Sequence, residues 1–283
     1  MAAEIIDGRA VALAILPELK ERAAAMRERG VVPRLAVVSA TDSEASAVYA
    51  RSLRRKCLEA GVEFDERKCG ADGLEREIAA LAGDPLVHGI MIQTPLPEGV
   101  DPVGVRLAVP PEKDTDGCTP FNQGMLAYGR CLLPPCTAAG IVELIKSRGI
   151  RMRGARAVIL GRSAVVGKPL AMMLLGMDAV VTVCHSAAAA ADAMATCREA
   201  DILITATGRA GLVTGEWLKK GSVLIDAGIS AGKDGRIAGD AVFEDALEVC
   251  SHVSPVPGGV GAVTASMAVR NALCSCEMLA GVR

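Results

Sequence analysis

Short aliphatic runs alternate along this chain with stretches whose apolar residues recur at helical spacing, and that alternation restricts the fold to few architectures. Residues 34–40 (Arg-Leu-Ala-Val-Val-Ser-Ala) and 87–93 (Val-His-Gly-Ile-Met-Ile-Gln) read as buried strands. Helix patterns surround them: 8–29 with Val11, Ala14, Ile15 and Leu19 and a stop at Gly30, 43–60 closed by Gly61, and 73–81. A second series has strand candidates at 155–160, 179–184, 201–206 and 222–229, and a helix start in the alanines of 187–191. Strands that alternate with helices connect by right-handed crossovers into parallel sheets, so the fold class is α/β.

Between the two series, residues 94–135 are crowded with proline: Pro95, Pro97, Pro102, Pro110, Pro111, Pro120, Pro134 and Pro135. This break implies two domains, 1–136 and 137–263, joined near a helix at 137–148 with Thr137 as its cap and Gly149 as its stop. A last helix pattern, 264–283, has no strand after it and is expected to return to the first domain. Only 2% of residues are aromatic although 51% are hydrophobic, so the core must be Ala, Val, Leu, Ile and Met, as suits helices on parallel sheets. A net charge of −2 lacks the basic excess that phosphate neutralisation requires, which argues against nucleic acid as a partner. The ten cysteines contain no CxxC, and His88, His185 and His252 form no ligand cluster, so neither disulfides nor a metal is expected. No apolar run approaches the ~18 residues of a membrane span, and MAAEIIDGRA lacks a signal-peptide layout; a soluble, cytoplasmic protein is expected.

Gly161-Arg-Ser-Ala-Val-Val-Gly167 follows an aliphatic strand and opens a helix pattern with Pro169 in its early turn. A helix N-terminus reached through glycines offers unpaired N–H groups to a pyrophosphate. The turn departs from G-x-G-x-x-G, since Ser163 takes the middle position, and an ordinary strand-to-helix connection would read the same way. NAD sites usually place a carboxylate about 20 residues on, against the ribose hydroxyl. Here the next strand ends in Cys184-His185-Ser186, and Arg162 sits inside the turn. A guanidinium and a hydroxyl suit a 2′-phosphate, so NADP is the expected cofactor. His185 reads as a capping residue, and Arg162 alone would read as a solvated turn charge.

Six short runs, in order, resemble the bifunctional methylenetetrahydrofolate dehydrogenase/methenyltetrahydrofolate cyclohydrolase family over nearly the whole chain. They are Ala45-Ser-Ala-Val-Tyr49, Gly89-Ile-Met-Ile-Gln-Thr-Pro-Leu-Pro97, Pro111-Glu-Lys-Asp-Thr-Asp-Gly117, Pro135-Cys-Thr137, Gly161–Pro169 and Pro255-Val-Pro-Gly-Gly-Val-Gly261. The resemblance implies an N-terminal folate-site domain, a Rossmann-type dinucleotide domain, a tetrahydrofolate-type substrate and a homodimer. It makes Tyr49 the residue that stacks on the folate, Asp116 the acceptor for pterin donors and Gln93 a residue of the reacting centre. Each has a plainer reading: a helix-face core residue, a turn cap, and a strand-end amide bonded to backbone. Pro257, Gly258, Gly259 and Thr264 are the further substrate-side residues expected. For the cofactor they are Gly161, Arg162, Ser163, Val166, Gly167, Ser186, Thr207, Gly208, Gly228 and Ile229.

Two positions depart from the family. Ala262 stands where proline is usual, so a looser 255–261 loop is expected. The family helix reads Tyr-x-x-x-Lys, with both side chains on one face, and the lysine serves the hydrolysis of the methenyl cation. Here the run is Tyr49-Ala-Arg-Ser-Leu53, and leucine carries no proton. Arg54 and Arg55 point roughly 100° and 200° away, and Lys56 lies two turns from Tyr49. The expected activity is therefore NADP-dependent oxidation of methylenetetrahydrofolate with a weak or absent cyclohydrolase. A fully bifunctional enzyme and a catalytically idle binding paralogue remain as alternatives.

Overall fold

The computed structural model describes residues 2–231 and 237–282; positions 1 and 283, which the domain expectations included, lie outside them, as do 232–236. In chain order the elements are β1 (Glu4–Ile5), α1 (Gly8–Glu28), β2 (Arg34–Ser39), α2 (Glu44–Ala60), β3 (Glu63–Lys68), α3 (Leu74–Gly83), β4 (Gly89–Ile92), α4 (Pro102–Leu107), α5 (Pro120–Ala127) and α6 (Cys136–Ser147). They continue with β5 (Arg156–Leu160), α7 (Gly167–Leu175), β6 (Val180–Cys184), α8 (Ala190–Cys197), β7 (Ile202–Thr205) and β8 (Val223–Asp226). The last are β9 (Ser230–Ala231), β10 (Ile237–Ala238), α9 (Phe243–Val249), β11 (His252–Val253) and α10 (Val260–Leu279). The chain divides into two compact units, Leu13–Cys136 with Ala265–Arg283, and Met1–Ala12 with Thr137–Thr264.

The first of these units is built on a three-stranded parallel sheet in the order β3-β2-β4. Central β2 is buried from Leu35 to Ser39, as a strand covered on both faces must be. Ala36, Val38 and Ile90 share a core with Leu74, Ile78 and Leu81 of α3 and Val105 of α4. Strand β3 has no counterpart among the sequence expectations, because its residues, EFDERK, carry five charges and no apolar period. It forms through six registered pairs with β2, and its charges suit an edge strand that must not recruit another. The proline-rich passage also folds more than its composition suggests. Asp101 and Thr119 cap α4 and α5, and each helix opens on a proline, where the missing N–H costs nothing. Arg22 of α1 grips Glu277 of α10 in a two-pronged ion pair, at 2.7 and 2.9 Å.

The other unit carries a six-stranded sheet in the order β1-β11-β8-β7-β5-β6, with every registered pair parallel. Strands β7 and β8 are buried throughout and β5 from its second residue, while β6 is largely exposed at the edge. The first strand belongs here, although the sequence reading groups residues 1–136 together. Glu4 and Ile6 donate to the carbonyls of Ser251 and Val253 at 2.8 Å, a pairing across the chain that no local pattern announces. Local boundaries shift for similar reasons. Helix α6 starts at Cys136, which places Thr137 inside it rather than at its cap, and α10 starts at Val260 rather than near 264.

Candidate active site

The run Pro111-Glu-Lys-Asp-Thr-Asp-Gly117 shows how neighbouring polar residues divide their work. Lys113 is buried and its Nζ donates to the carbonyls of Ala82 and Asp84 at 2.9 and 2.8 Å, closing the end of α3. Asp114 is buried too, and its carboxylate accepts from Thr119 N at 2.7 Å, Asn122 Nδ2 at 2.9 Å and Cys118 N at 3.2 Å. Thr115 Oγ1 donates to Ile90 O at 2.9 Å and pins the run to β4. The turn-capping role considered for Asp116 thus falls to Asp114, and Asp116 keeps its carboxyl for another purpose. That carboxyl is pushed up to about 6, by burial first and then by the charge of Asp114, with the Cys118 thiol and Arg106 pulling the other way.

Tyr49 shares this neighbourhood. Burial first, then the negative charge that Cys136, Asp116, Cys57 and Cys118 would carry, holds its phenol well above the ordinary range, so it stays neutral. Gln93, just past β4, is buried, and its Nε2 donates to Ser46 O at 3.1 Å, one turn of α2 before Tyr49. The bland reading of Gln93 therefore accounts for its amide nitrogen, and the bond sets the side chain against the helix that carries Tyr49. Ser46 Oγ returns a bond to Thr94 O at 2.9 Å. Leu53, one turn beyond Tyr49, is 0% exposed. Lys56 is engaged elsewhere, with Nζ 3.0 Å from Glu59 Oε2, while Arg54 and Arg55 face solvent.

In the other unit the chain leaves β5 for β6 on one side and then crosses to β7 on the other, so the end of β5 is a topological switch point. The glycine turn begins there. Gly161 has φ of 129°, and a Cβ on it would strike the carbonyl of Ala206. A Cβ on Gly167 would strike the carbonyl of Gly161, so both positions require glycine. Ser163 Oγ accepts from Val166 N at 3.1 Å and shapes the turn from within, while Val166 itself is the residue preceding α7. Arg162, Ser186 and Gly208 are exposed, Thr207 is half-buried, and Ile229 is 68% exposed although apolar. His185 Nδ1 accepts from Ala187 N at 3.3 Å, as a capping residue would. This arrangement, a glycine cradle opening a nine-residue helix at a switch point, fits a dinucleotide phosphate.

The loop of Pro257, Gly258 and Gly259 belongs to the same unit. Gly8 N donates to Gly258 O at 2.9 Å, and a Cβ on Gly8 would collide with the Gly259 carbonyl. Thr264 Oγ1 donates to Val260 O at 3.0 Å inside α10. Ala262 supplies an N–H that proline would lack, and it donates to Gly259 O at 3.1 Å. The looseness expected from this substitution is offset by that bond. Among the described residues no group of three or more His, Cys, Asp or Glu could hold a metal ion, and no helix is long and apolar enough to cross a membrane.

Family models match both parts of the chain, the tetrahydrofolate dehydrogenase/cyclohydrolase catalytic domain over residues 6–116 and the NAD(P)-binding domain of the same enzymes over residues 135–280. The chain belongs to the tetrahydrofolate dehydrogenase/cyclohydrolase family. It is 44% identical to the bifunctional protein FolD of Bordetella avium, over 98% of each chain. Its fold matches the bifunctional FolD methylenetetrahydrofolate dehydrogenase/cyclohydrolase of Campylobacter jejuni with a TM-score of 0.94, at 35% identity over 98% and 99% of the two chains. The FolD enzyme of Trypanosoma brucei, whose structure holds NADP and an inhibitor, matches with a TM-score of 0.93 at 37% identity, over 98% of each chain. The two-domain α/β fold with a Rossmann-like dinucleotide domain is thus that of the tetrahydrofolate dehydrogenase/cyclohydrolases.

Within this family member, sequence reasoning missed the residues that hold the candidate catalytic group in place. Asn271, buried in α10, donates through Nδ2 to Pro134 O at 2.8 Å and Thr115 O at 3.0 Å. Cys136 donates through N to Asp116 O at 3.3 Å and through Sγ to Thr115 O at 3.1 Å. An amide among mainly apolar residues of α10 was the available signal, since a buried polar side chain needs partners.

Proposed function

We propose that this chain is an NADP-dependent methylenetetrahydrofolate dehydrogenase whose cyclohydrolase activity is weak or absent. Leu53 carries the second half of that reading: the position one turn beyond Tyr49 holds a fully buried leucine instead of a proton-carrying side chain. Lys56 offers no substitute, since Glu59 engages it two turns from Tyr49. Arginine stays protonated and makes a poor base, so Arg54 and Arg55 do not replace the lysine either.

The dehydrogenase half rests on groups that need only bind and orient. Neutral Tyr49 offers a ring face for a folate, and Gln93 is anchored against the same helix. Asp116, ionised above about pH 6, accepts hydrogen bonds from an amino-pyrimidine edge. The bound nicotinamide supplies the hydride acceptor, which leaves positioning as the main demand on the protein. Gly161, Gly167 and the start of α7 receive the pyrophosphate, and exposed Arg162 with Ser186 receives the 2′-phosphate that selects NADP over NAD. The name of the Bordetella avium relative favours one alternative, a fully bifunctional enzyme.

Two assays separate these readings. Reduced-cofactor absorbance is followed with methylenetetrahydrofolate and NADP, then NAD; turnover with NADP is expected, and silence with both would indicate an idle paralogue. Purified methenyltetrahydrofolate is then followed with and without enzyme. Hydrolysis well above the buffer rate would overturn the cyclohydrolase half and support the bifunctional alternative.

We also propose a homodimer. Edge strand β6 exposes Val180 and Val183, and Met172 and Leu175 of the preceding helix are exposed as well. An exposed apolar strand edge is a template for pairing with a second copy.

A further inference from the structure

Two carboxylates lie buried beneath the ends of β7 and β8, outside every motif considered above. Asp240 is 0% exposed, and its carboxylate accepts from Thr207 N at 2.5 Å and Arg209 N at 2.9 Å. Asp226 is 4% exposed. Its Oδ1 accepts from Gly228 N at 2.8 Å, Thr205 Oγ1 at 2.9 Å and Asp240 N at 3.1 Å, and its Oδ2 from Ala241 N at 2.9 Å. The Asp226 backbone N–H donates to Ser254 Oγ at 2.8 Å, next to the Pro255–Gly259 loop. Space is used fully here. A Cβ on Gly228 would collide with Asp240 Oδ1, and one on Gly239 with Asp226 Oδ2.

Buried carboxylates are costly unless their oxygens are filled, and here they are filled mainly by backbone N–H groups of loops. A core that needed only stability would place aliphatic residues at these positions at less cost. What the carboxylates achieve is registration. Asp240 holds the chain at Thr207–Arg209, Asp226 holds Gly228, and both converge on residues 239–241. Thr207–Arg209 and Gly228 follow the carboxyl ends of parallel strands β7 and β8, and β7 adjoins β5, at whose end is the switch point where a dinucleotide would lie.

We propose that Asp226 and Asp240 are positioning residues for the dinucleotide, fixing the backbone of Thr207–Arg209 and Gly228–Ile229 as a preformed rim. This rests on the cofactor reading above, in which those residues touch NADP. Neither aspartate contacts the ligand. Each acts by taking up the N–H groups that would otherwise let the rim shift, so that binding does not have to order it.

Asp240→Asn tests this. The amide retains one acceptor but turns an N–H toward either Thr207 or Arg209, and so frees one end of the rim. Thr205→Val is the control, since it removes a side-chain donor from Asp226 without touching a rim N–H. NADP is titrated calorimetrically into both variants and the unmutated chain, and unliganded melting temperatures are recorded. The expected result is an NADP Kd raised at least tenfold in D240N and less than threefold in T205V, although both melt earlier. In turnover, D240N raises the KM for NADP and leaves that for the folate unchanged. Equal weakening in both variants, tracking their melting temperatures, or an unchanged Kd in D240N would overturn the proposal. If D240N does not fold, D226A serves instead, since it leaves the rim N–H of Gly228 without its acceptor, and a tenfold weaker Kd is again expected. Absence of NADP binding by the unmutated chain would overturn the cofactor reading itself, and this inference with it.

Discussion

Leu53 follows Tyr49 by one turn of α2, and while Tyr49 is partly open Leu53 is closed off completely. On α2 the ring therefore has no proton carrier one turn beyond it. Leu53→Lys should raise methenyltetrahydrofolate hydrolysis measurably above the buffer rate if that group alone is missing. It should also lower the melting temperature, because an ammonium replaces fully buried methyl groups, at about 2 kcal/mol or more. Absorbance decay of the methenyl compound measures the first effect, and thermal unfolding the second.

If Asp116 binds the folate as proposed, the folate side should depend on pH. Its carboxyl titrates at about 6 in the folded chain against 3.8 for the free group. Between those values the folded state holds the extra proton, so this group's contribution to stability falls as pH rises from about 4 to about 6. In the role proposed for Asp116, binding of the pterin edge needs the ionised form and should strengthen over the same rise. Asp116→Asn should abolish both dependences, leaving kcat/KM low and flat between pH 5 and 8. A pH profile that keeps its rise near 6 in the variant would assign that rise to another group.

Asp114 should behave unlike Asp116 despite standing two residues away. Asp114→Ala leaves Thr119 N, Cys118 N and Asn122 Nδ2 without their common acceptor in a buried site. The expected cost is about 3 kcal/mol in denaturant unfolding. Asp116→Ala, which strips no backbone partner, should cost far less in the same measurement.

Gly8→Ala should disturb the Pro257–Gly259 loop from a distance of some 250 residues in sequence. The added methyl meets the Gly259 carbonyl, a backbone atom that cannot swing aside. A loss of about 2 kcal/mol is expected, with a raised KM for the folate. Stability unchanged by this substitution would show that the loop has room the structure does not indicate.

At the β6 edge, Val180→Lys with Val183→Lys should yield a monomer by sedimentation if two copies pair there. Both side chains are exposed, so the single subunit should fold as before. A dimer that survives both charges would place the contact elsewhere.

Much of this protein follows from local sequence. Alternating aliphatic strands and helices specify the α/β class, because each period buries one kind of element. The glycine turn at 161–167 is legible because strand, turn and helix are contiguous there. Motif residues such as Tyr49, Gln93 and Asp116 are legible by resemblance, and Leu53 stands out against it. Other features depend on partners far away in the chain. Charged β3 becomes a strand only by pairing with β2, and β1 joins the second sheet through backbone bonds that side chains do not encode. Sequence could not divide labour between Asp114 and Asp116, since the same residue type serves as structural acceptor or available carboxylate according to which N–H groups surround it. Nor could it name the partners of Asn271, Asp226 and Asp240, most of which are backbone atoms elsewhere in the chain. Periodicity records what a residue does to its own element, whereas hydrogen bonds between elements exist only once the chain has folded.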